Sequence, residues 1–381
     1  MVKILATADW QMDMKGGRLN EAARATLAQA RLDALDAIFV LAEAEKVDCI
    51  LAAGDLFEYP SPSPEVIQSV ARILQAHTKI PIHAIPGNHD LAGPGTVWDS
   101  PEIQANDHLT LHTEYQEVEC NGFTLHPIPV KSKHELDPYD ELLPDVNDRD
   151  GLNLVMAHAH DLDYMDLFSA HEDDCKLPIR SSKIIGKGYD YCVLGHWHSW
   201  NQVAERVLYP GTHEQTKFGE RDSGYVAIIE LDGDGMATTT QHRIGTIQWA
   251  TEEFDCTGVD PESGLIEYLR STKVGGVQFL SLRVFGEVDV KGRSEGLPRA
   301  RAAGVPMFDH LEWNDDEVTL TVDVDSLKEE YKLPFGLAEI QESILEELNE
   351  SDDSEARQYL LDELQALWRA ARDTGIIGGD V

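Results

Sequence analysis

The chain has 381 residues, 42% of them hydrophobic, which suits a globular protein of two or three domains. No apolar run approaches the ~20 residues of a membrane span, and the first residues read as a strand rather than a signal peptide, so a cytoplasmic location is expected. Acidic residues outnumber basic ones 69 to 31, a formal charge of −38 whose uniform field would repel nucleic acid unless bound divalent cations supplied local positive charge.

A high-salt cytoplasm, or acid segregated onto a partner-binding tail, would each account for such a surface. Cys49, Cys120, Cys175, Cys192 and Cys256 are scattered, odd in number and without a C-x-x-C pair, as expected of structural thiols in a reducing compartment.

Residues 2–6 are an apolar run, a strand, followed by Asp9. Residues 20–46 are alanine-rich with Leu27, Leu35, Ile38 and Leu41 at roughly helical spacing, a helix able to cover one face of a sheet. A second strand, 49–53, ends in Gly54-Asp55-Leu56-Phe57. The loop from Tyr59 to Pro64 is stiffened by prolines, and Pro64 can open a helix over 65–77. A third strand, 82–85, runs into Pro86-Gly87-Asn88-His89-Asp90. Short β pieces fill 107–130, and 131–151 is a polar excursion. Strands at 152–157 and 191–194 end in His158 and in Gly195-His196-Trp197-His198, and 203–231 reads as further strands around the turn Tyr209-Pro210-Gly211-Thr212.

The composition shifts near residue 250. A strand at 277–284, an alternating Val-Thr-Leu-Thr-Val strand at 318–324 and a helix at 260–271 make residues 251–325 a small α+β domain. In the last segment, 326–381, Leu337, Ile340, Ile344, Leu345 and Leu348 form one helical stripe. Leu360, Leu361, Leu364, Leu367 and Trp368 form a second, beyond an acidic break. Two acidic amphipathic helices of this kind pack on their own domain or dock a partner's helices.

Five apolar runs thus deliver Asp, Asn or His at their C-terminal ends, the edge where ligands and catalytic groups of α/β sheets collect. Two divalent ions ~3.5–4 Å apart need a bridging carboxylate, oxygen or imidazole ligands on each side, and open positions for water and a phosphate oxygen. Asp55, behind Gly54, is the natural bridge. Asn88, His158 and His196 are candidates for one ion, Asp9 and His198 for the other. Mixed oxygen and nitrogen ligands suit Mn²⁺ best, with Mg²⁺, Fe or Zn²⁺ admissible. His89 is the candidate to protonate a leaving oxygen or stabilise the transition state, and Asp90 to orient it. His160 is an additional imidazole assigned to the surroundings of the site; His77, His83, His108, His112, His126, His134 and His171 have no motif support.

The ordered set Asp9, Gly54-Asp55, Gly87-Asn88-His89-Asp90, His158 and Gly195-His196-x-His198 resembles the calcineurin-like metallophosphoesterases. Within them the chain is similar to the SbcD-type DNA repair nucleases, bacterial and phage relatives of the meiotic recombination nuclease. The finer matches are Gly54-Asp55-Leu56-Phe57, Val193 to His198, Leu208 to Thr212, Lys217-Phe218-Gly219-Glu220 and Gly224-Tyr225-Val226. They cover about residues 1–235. The resemblance implies an α/β fold: a β-sandwich flanked by helices in four layers, αββα, over residues 1–250, then a small capping domain and C-terminal helices. It further implies a metal-dependent 3′ to 5′ exonuclease and single-strand endonuclease of DNA break repair. The partners it implies are an SbcC-like ATPase, bound by the last helices, and a second copy of the chain. One departure is clear. The family's first motif reads Asp-x-His, whereas here it is Asp9-Trp10-Gln11; Gln11 offers a carbonyl oxygen, a poorer ligand for a transition metal than imidazole. A small-substrate phosphomonoesterase or phosphodiesterase on the same fold, and a non-catalytic DNA-binding scaffold, are the rival readings.

Overall fold

The apolar runs become strands that are buried on both faces. The structure is a computed structural model that describes residues 1–133, 137–167, 176–289, 291–321, 333–351 and 353–373. His134, His171 and Cys175 lie outside them. The chain divides into two compact units, residues 1–250 with 276–279, and 251–275 with the described residues from 280 onward.

In the first unit the order begins β1 (Val2–Thr7), α1 (Glu21–Glu45), β2 (Cys49–Ala53), α2 (Pro64–Ala76), β3 (Ile82–Ile85), α3 (Pro101–Gln104), β4 (Leu109–Leu111). It continues β5 (Val118–Cys120), β6 (Phe123–Ile128), β7 (Leu152–His158), the short β8 (His160–Asp161) and β9 (Pro178–Ile179), then α4 (Ser181–Gly186). It closes with β10 (Tyr191–Gly195), β11 (Asn201–Ala204), β12 (Val207–Tyr209), β13 (Tyr225–Leu231) and β14 (Ala237–Arg243). Two six-stranded sheets result, ordered β14-β13-β1-β2-β3-β4 and β11-β12-β10-β7-β6-β5.

Ile4, Ala6, Leu51 and Ala53 of the first sheet face Leu125, Leu154, Met156 and Val193 of the second across one core. On its other face the first sheet packs against Leu35, Ile38 and Phe39 of α1 and Val70 and Leu74 of α2. The outer face of the second sheet packs against Ile184 of α4 and Tyr139, Leu143 and Val146 of the preceding loop. This is the α/β sandwich with helices outside that the sequence led one to expect. Its central strands are parallel: β1 to β2, β2 to β3, β7 to β6 and β7 to β10. Parallel strands covered on both sides carry no alternating pattern, which is why they read as continuous apolar runs. Helix α1 is bounded by Asn20, whose side chain accepts from the Ala23 N–H at 2.8 Å, and by Lys46 in the left-handed conformation, φ 56°. No helix among the described residues is long and apolar enough to cross a membrane.

One edge of the sandwich is closed by polar groups. His83 Nδ1 lies 3.0 Å from His112 Nε2, and His83 Nε2 lies 3.6 Å from Cys120 Sγ, so β3 and the end of β4 are tied to β5. Burial, with His83 adding to it, pushes His112 down to about 4. Between pH 6.5 and 4 the unfolded chain therefore binds a proton that the folded chain does not. Stability is expected to fall as pH drops through that window, by up to about 3 kcal/mol from this group. Urea unfolding of the native chain and His112→Gln at pH 7 and pH 4.5 checks this. A variant with the same acid loss as the native chain would remove His112 as its source.

After β14 come β15 (Gln248–Asp255), α5 (Pro261–Thr272), β16 (Gln278–Val288), α6 (Leu297–Gly304), β17 (His310–Leu320), α7 (Phe335–Glu350) and α8 (Ser354–Asp373), which belong to the second unit except for residues 248–250 and 278–279. β15, β16 and β17 form a three-stranded sheet in that order. The strand expected at 318–324 begins eight residues earlier, at His310, and residues 322–324 lie outside the described residues. Its acidic run Asp315-Asp316-Glu317 hides it from a hydrophobic pattern and suits an edge strand, where charge blocks pairing with another chain. The two expected helical stripes meet: Leu345 and Leu348 of α7 bury against Leu360, Leu361 and Leu364 of α8. Cys49, Cys120, Cys192 and Cys256 are free thiols.

Candidate metal centre

Four of the candidate side chains sit beyond the ends of strands in backbone that ordinary sequence avoids. Asp9 (φ 52°), Gln11 (φ 41°), Asp55 (φ 52°) and His196 (φ 96°) all occupy positive φ, which costs a non-glycine residue of order 1–3 kcal/mol each. Hydrogen bonds hold them there: Asp9 N–H donates to the Gly54 carbonyl at 3.0 Å and Gln11 N–H to the Asp55 carbonyl at 2.9 Å. The loops after β1 and β2 therefore run side by side. Two glycines allow close approach. A methyl at Gly87 would overlap Asp55 Oδ1, and one at Gly195 would overlap the Ala53 carbonyl and crowd the His158 ring.

The structure brings Asp55, His158 and His196 together, with one ligand-type atom of each within 4.8 Å of the others. His158 is fully buried and its Nδ1 lies 2.9 Å from the Ala53 carbonyl, so Nδ1 carries the proton that this acceptor takes. Its Nε2 then faces the site, 3.1 Å from Asn88 Oδ1, 3.2 Å from Asp55 Oδ2 and 3.2 Å from His196 Nδ1. Burial opposes charge on His158, yet Asp55 beside it raises the imidazole to about 9. Burial also opposes ionisation of Asp55, but His158 outweighs it and holds the carboxyl well below the usual range. His196 is pushed well down by burial and by the neighbouring His158.

A second group lies on the far side of Asp9. The Asp9 carboxylate is fully buried and accepts from the His196 N–H at 3.1 and 3.2 Å. Burial raises it to about 6. Gln11 reaches His198: its side-chain amide nitrogen is 3.1 Å from His198 Nε2. Burial works against protonation of His198, but Glu220 on its other nitrogen prevails and raises it. Behind both groups Arg31 is fully buried and spends its donors on the Asp9, Trp10 and Glu214 carbonyls and the Thr212 hydroxyl rather than on a carboxylate of the site.

His89 is the open member, with its side chain 37% exposed on the face of the cluster. Its N–H donates to Asp55 Oδ1 at 2.8 Å, its Nδ1 lies 3.1 Å from the Glu58 carbonyl, and its Nε2 points toward Asp55 at 4.0 Å. Asp90 was expected to orient His89, and the geometry gives it another task. Its carboxylate accepts the N–H groups of Gly87 at 2.7 Å, Leu56 at 2.8 Å and Phe57 at 3.2 Å, tying the β3 loop to the β2 loop. Burial, then repulsion from Asp55, pushes Asp90 up to about 7. Trp10 and Phe57 are core residues beneath the loops. His160 Nδ1 lies 2.9 Å from the Lys176 carbonyl, and its ring packs edge-on against His196 at 4.2 Å.

This donor set fits divalent cations: two buried carboxylates, three imidazoles and the amides of Asn88 and Gln11, with Arg31 turned to carbonyls behind them. Divalent ions bound there would neutralise a phosphoester and lower the pKa of water beside it. Sequence reasoning passed over three residues of the surroundings. Arg31 reads as one polar residue of an alanine-rich helix. Glu58 meets His89 Nδ1 with its backbone carbonyl at 3.1 Å and its carboxylate at 3.6 Å. Glu220 stood within the quoted Lys217-to-Glu220 match, but nothing in the spacing pairs it with His198, 22 residues away.

Three solved structures are similar to part of the chain at low identity. A protein of Thermus thermophilus is 13% identical, with 64% of this chain and 99% of that chain covered and a TM-score of 0.37. A dimetal phosphatase from Danio rerio is 12% identical over 60% and 94% of the two chains, TM-score 0.38. A purple acid phosphatase from yellow lupin (Lupinus luteus) seeds is 9% identical over 64% and 51%, TM-score 0.37. The calcineurin-like phosphoesterase profile matches residues 2–200, the stretch that holds β1 to β10 and every residue of the converging cluster. With more than half of its length matched, the chain belongs to the calcineurin-like phosphoesterase family, whose members are metal-dependent hydrolases of phosphoester bonds.

Proposed function

We propose that the protein is a DNA nuclease of the SbcD type, a 3′ to 5′ exonuclease and single-strand endonuclease that processes broken DNA ends in the cytoplasm. The observation that carries this reading is Glu220: the Lys217-Phe218-Gly219-Glu220 block, which resembles the nuclease branch, folds back so that Glu220 holds His198 at 2.9 Å. Asp9, Gln11, Asp55, Asn88, His158, His196 and His198 hold two divalent ions, Mn²⁺ by preference for a mixed oxygen and nitrogen set. With Nδ1–H donating to the Glu58 carbonyl, His89 turns Nε2 to the site, and in its doubly protonated form it passes the Nε2 proton to the leaving oxygen and stays as the neutral Nδ1–H ring. Asp90 supports the reaction by fixing the two loops rather than by touching His89. The second unit and its acidic helix pair α7–α8, where Ile340 stays exposed, are the surface for an SbcC-like ATPase, and a homodimer is the working form.

The test is purified protein with Mn²⁺ and end-labelled single- and double-stranded DNA at low and high salt, beside p-nitrophenyl phosphate and its bis ester. Metal-dependent shortening of DNA from the 3′ end is the expected result. Turnover of the small esters with DNA left intact would overturn the nuclease reading and leave a small-substrate phosphoesterase.

A further inference from the structure

We propose that Glu220 is a positioning residue for the Asp9–Gln11–His198 half of the metal centre: its carboxylate takes the Nδ1 proton of His198, leaving Nε2 as a strengthened donor for the ion. The inference deepens the metal-dependent reading above and rests on it.

The Glu220 side chain is only 6% exposed, and its Oε1 lies 2.9 Å from His198 Nδ1. Its direction is set independently of the histidine. Oε2 accepts the Thr216 N–H at 2.8 Å, and Oε1 takes the Thr216 hydroxyl. The Glu220 carbonyl accepts from Gln215 Nε2 at 3.2 Å, and the same amide donates to the Lys217 carbonyl at 2.8 Å. The loop from 215 to 220 is thus tied to itself and presents a fixed acceptor. Thr216 Oγ1, 3.2 Å from His198 Nδ1, lies on the same side of the ring.

Two of the ligand imidazoles, His158 and His198, are backed unequally. His158 has a neutral carbonyl behind it, that of Ala53, whereas His198 has a carboxylate. A carboxylate behind a ligating imidazole fixes its tautomer and raises its basicity, and losing such a partner typically costs 10–100-fold in metal affinity. The stronger support is placed where it is needed, in the half that carries Gln11 in place of an imidazole. Gln11 and His198 already touch at 3.1 Å, so a ring free to rotate about its bonds would lose the one orientation that faces Gln11.

The experiment needs no DNA. Metal-stripped full-length protein is titrated with Mn²⁺, bound and free ion being counted by electron paramagnetic resonance, for the native chain, Glu220→Ala and Glu220→Gln. The native chain should take up two ions. Glu220→Ala should bind one of them about 10–100-fold more weakly and the other unchanged. Glu220→Gln, whose amide oxygen still accepts the Nδ1 proton, should recover part of that loss. Native affinity for both ions in Glu220→Ala would overturn the proposal alone. So would equal weakening of both ions with a lowered melting temperature, since Glu220 would then only hold its loop. A native chain that takes up no divalent ion would overturn the proposal together with the reading beneath it.

Discussion

Replacing His89 with alanine is expected to lower metal-dependent phosphodiester cleavage by about 10²–10⁴-fold, the range for loss of a general acid, while both ions stay bound. The reason lies in how His89 is attached. Its link to Asp55 is the backbone N–H on Oδ1, at 2.8 Å, which alanine keeps. Its side chain contributes Nδ1 near the Glu58 carbonyl and an exposed Nε2, and alanine removes both without leaving a buried donor stranded. Single-turnover cleavage of labelled DNA, read beside metal content, checks this. Unchanged cleavage would take His89 out of the chemistry, and loss of metal along with activity would make it a support for the ligands instead.

Replacing Arg31 with methionine is expected to destabilise the first unit by about 3–5 kcal/mol, the scale for stripping one partner from a buried charged network. Arg31 extends from α1 and donates from Nε to the Trp10 carbonyl at 3.1 Å and from Nη1 to the Glu214 carbonyl at 2.7 Å. A further nitrogen reaches the Trp10 carbonyl and, at 3.2 Å, the Thr212 hydroxyl. Burial lowers the guanidinium to about 10, so it remains charged at neutral pH. Methionine fills the volume and supplies no donor, leaving the Trp10 carbonyl unsatisfied in the interior and the Glu214 carbonyl with only the Thr212 hydroxyl, at 2.9 Å. The loops carrying Asp9–Gln11 and Thr216–Glu220 lose the group that binds them to one helix. Arg31→Lys keeps the charge but cannot span both carbonyls, and should recover only part of the loss. Urea unfolding of the three proteins decides it: a methionine variant within about 1 kcal/mol of the native chain would show that Arg31 does not hold the loops.

The helices and strands left unread share a physical cause. β14, with Thr238, Thr239 and Thr240, and residues 310–317 of β17, with their acidic run, lie at sheet edges with one side toward water, so burial imposes no pattern on them. α6 has Pro298 near its start and carries Arg299 and Arg301 among small residues rather than a clean apolar stripe, and only Leu297, Ala300 and Gly304 are buried in it. The acidic charge gave no guide to any element, because net charge speaks to solubility and association and not to fold.

The sequence by itself picked out which side chains the strands deliver to this edge of the sandwich. Strands covered on both faces must be apolar throughout, so the polar residue that ends each run is conspicuous, and Asp9, Asp55, Asn88, His158, His196 and His198 could be read directly. Only the tertiary structure decided what each of them faces. That Asp90 grips backbone N–H groups, that Glu58 offers a carbonyl to His89, and that Glu220 rather than a carbonyl stands behind His198 are contacts between loops from different strands. Such contacts turn on distances of about 3 Å and on which ring nitrogen carries the proton, and linear spacing encodes neither.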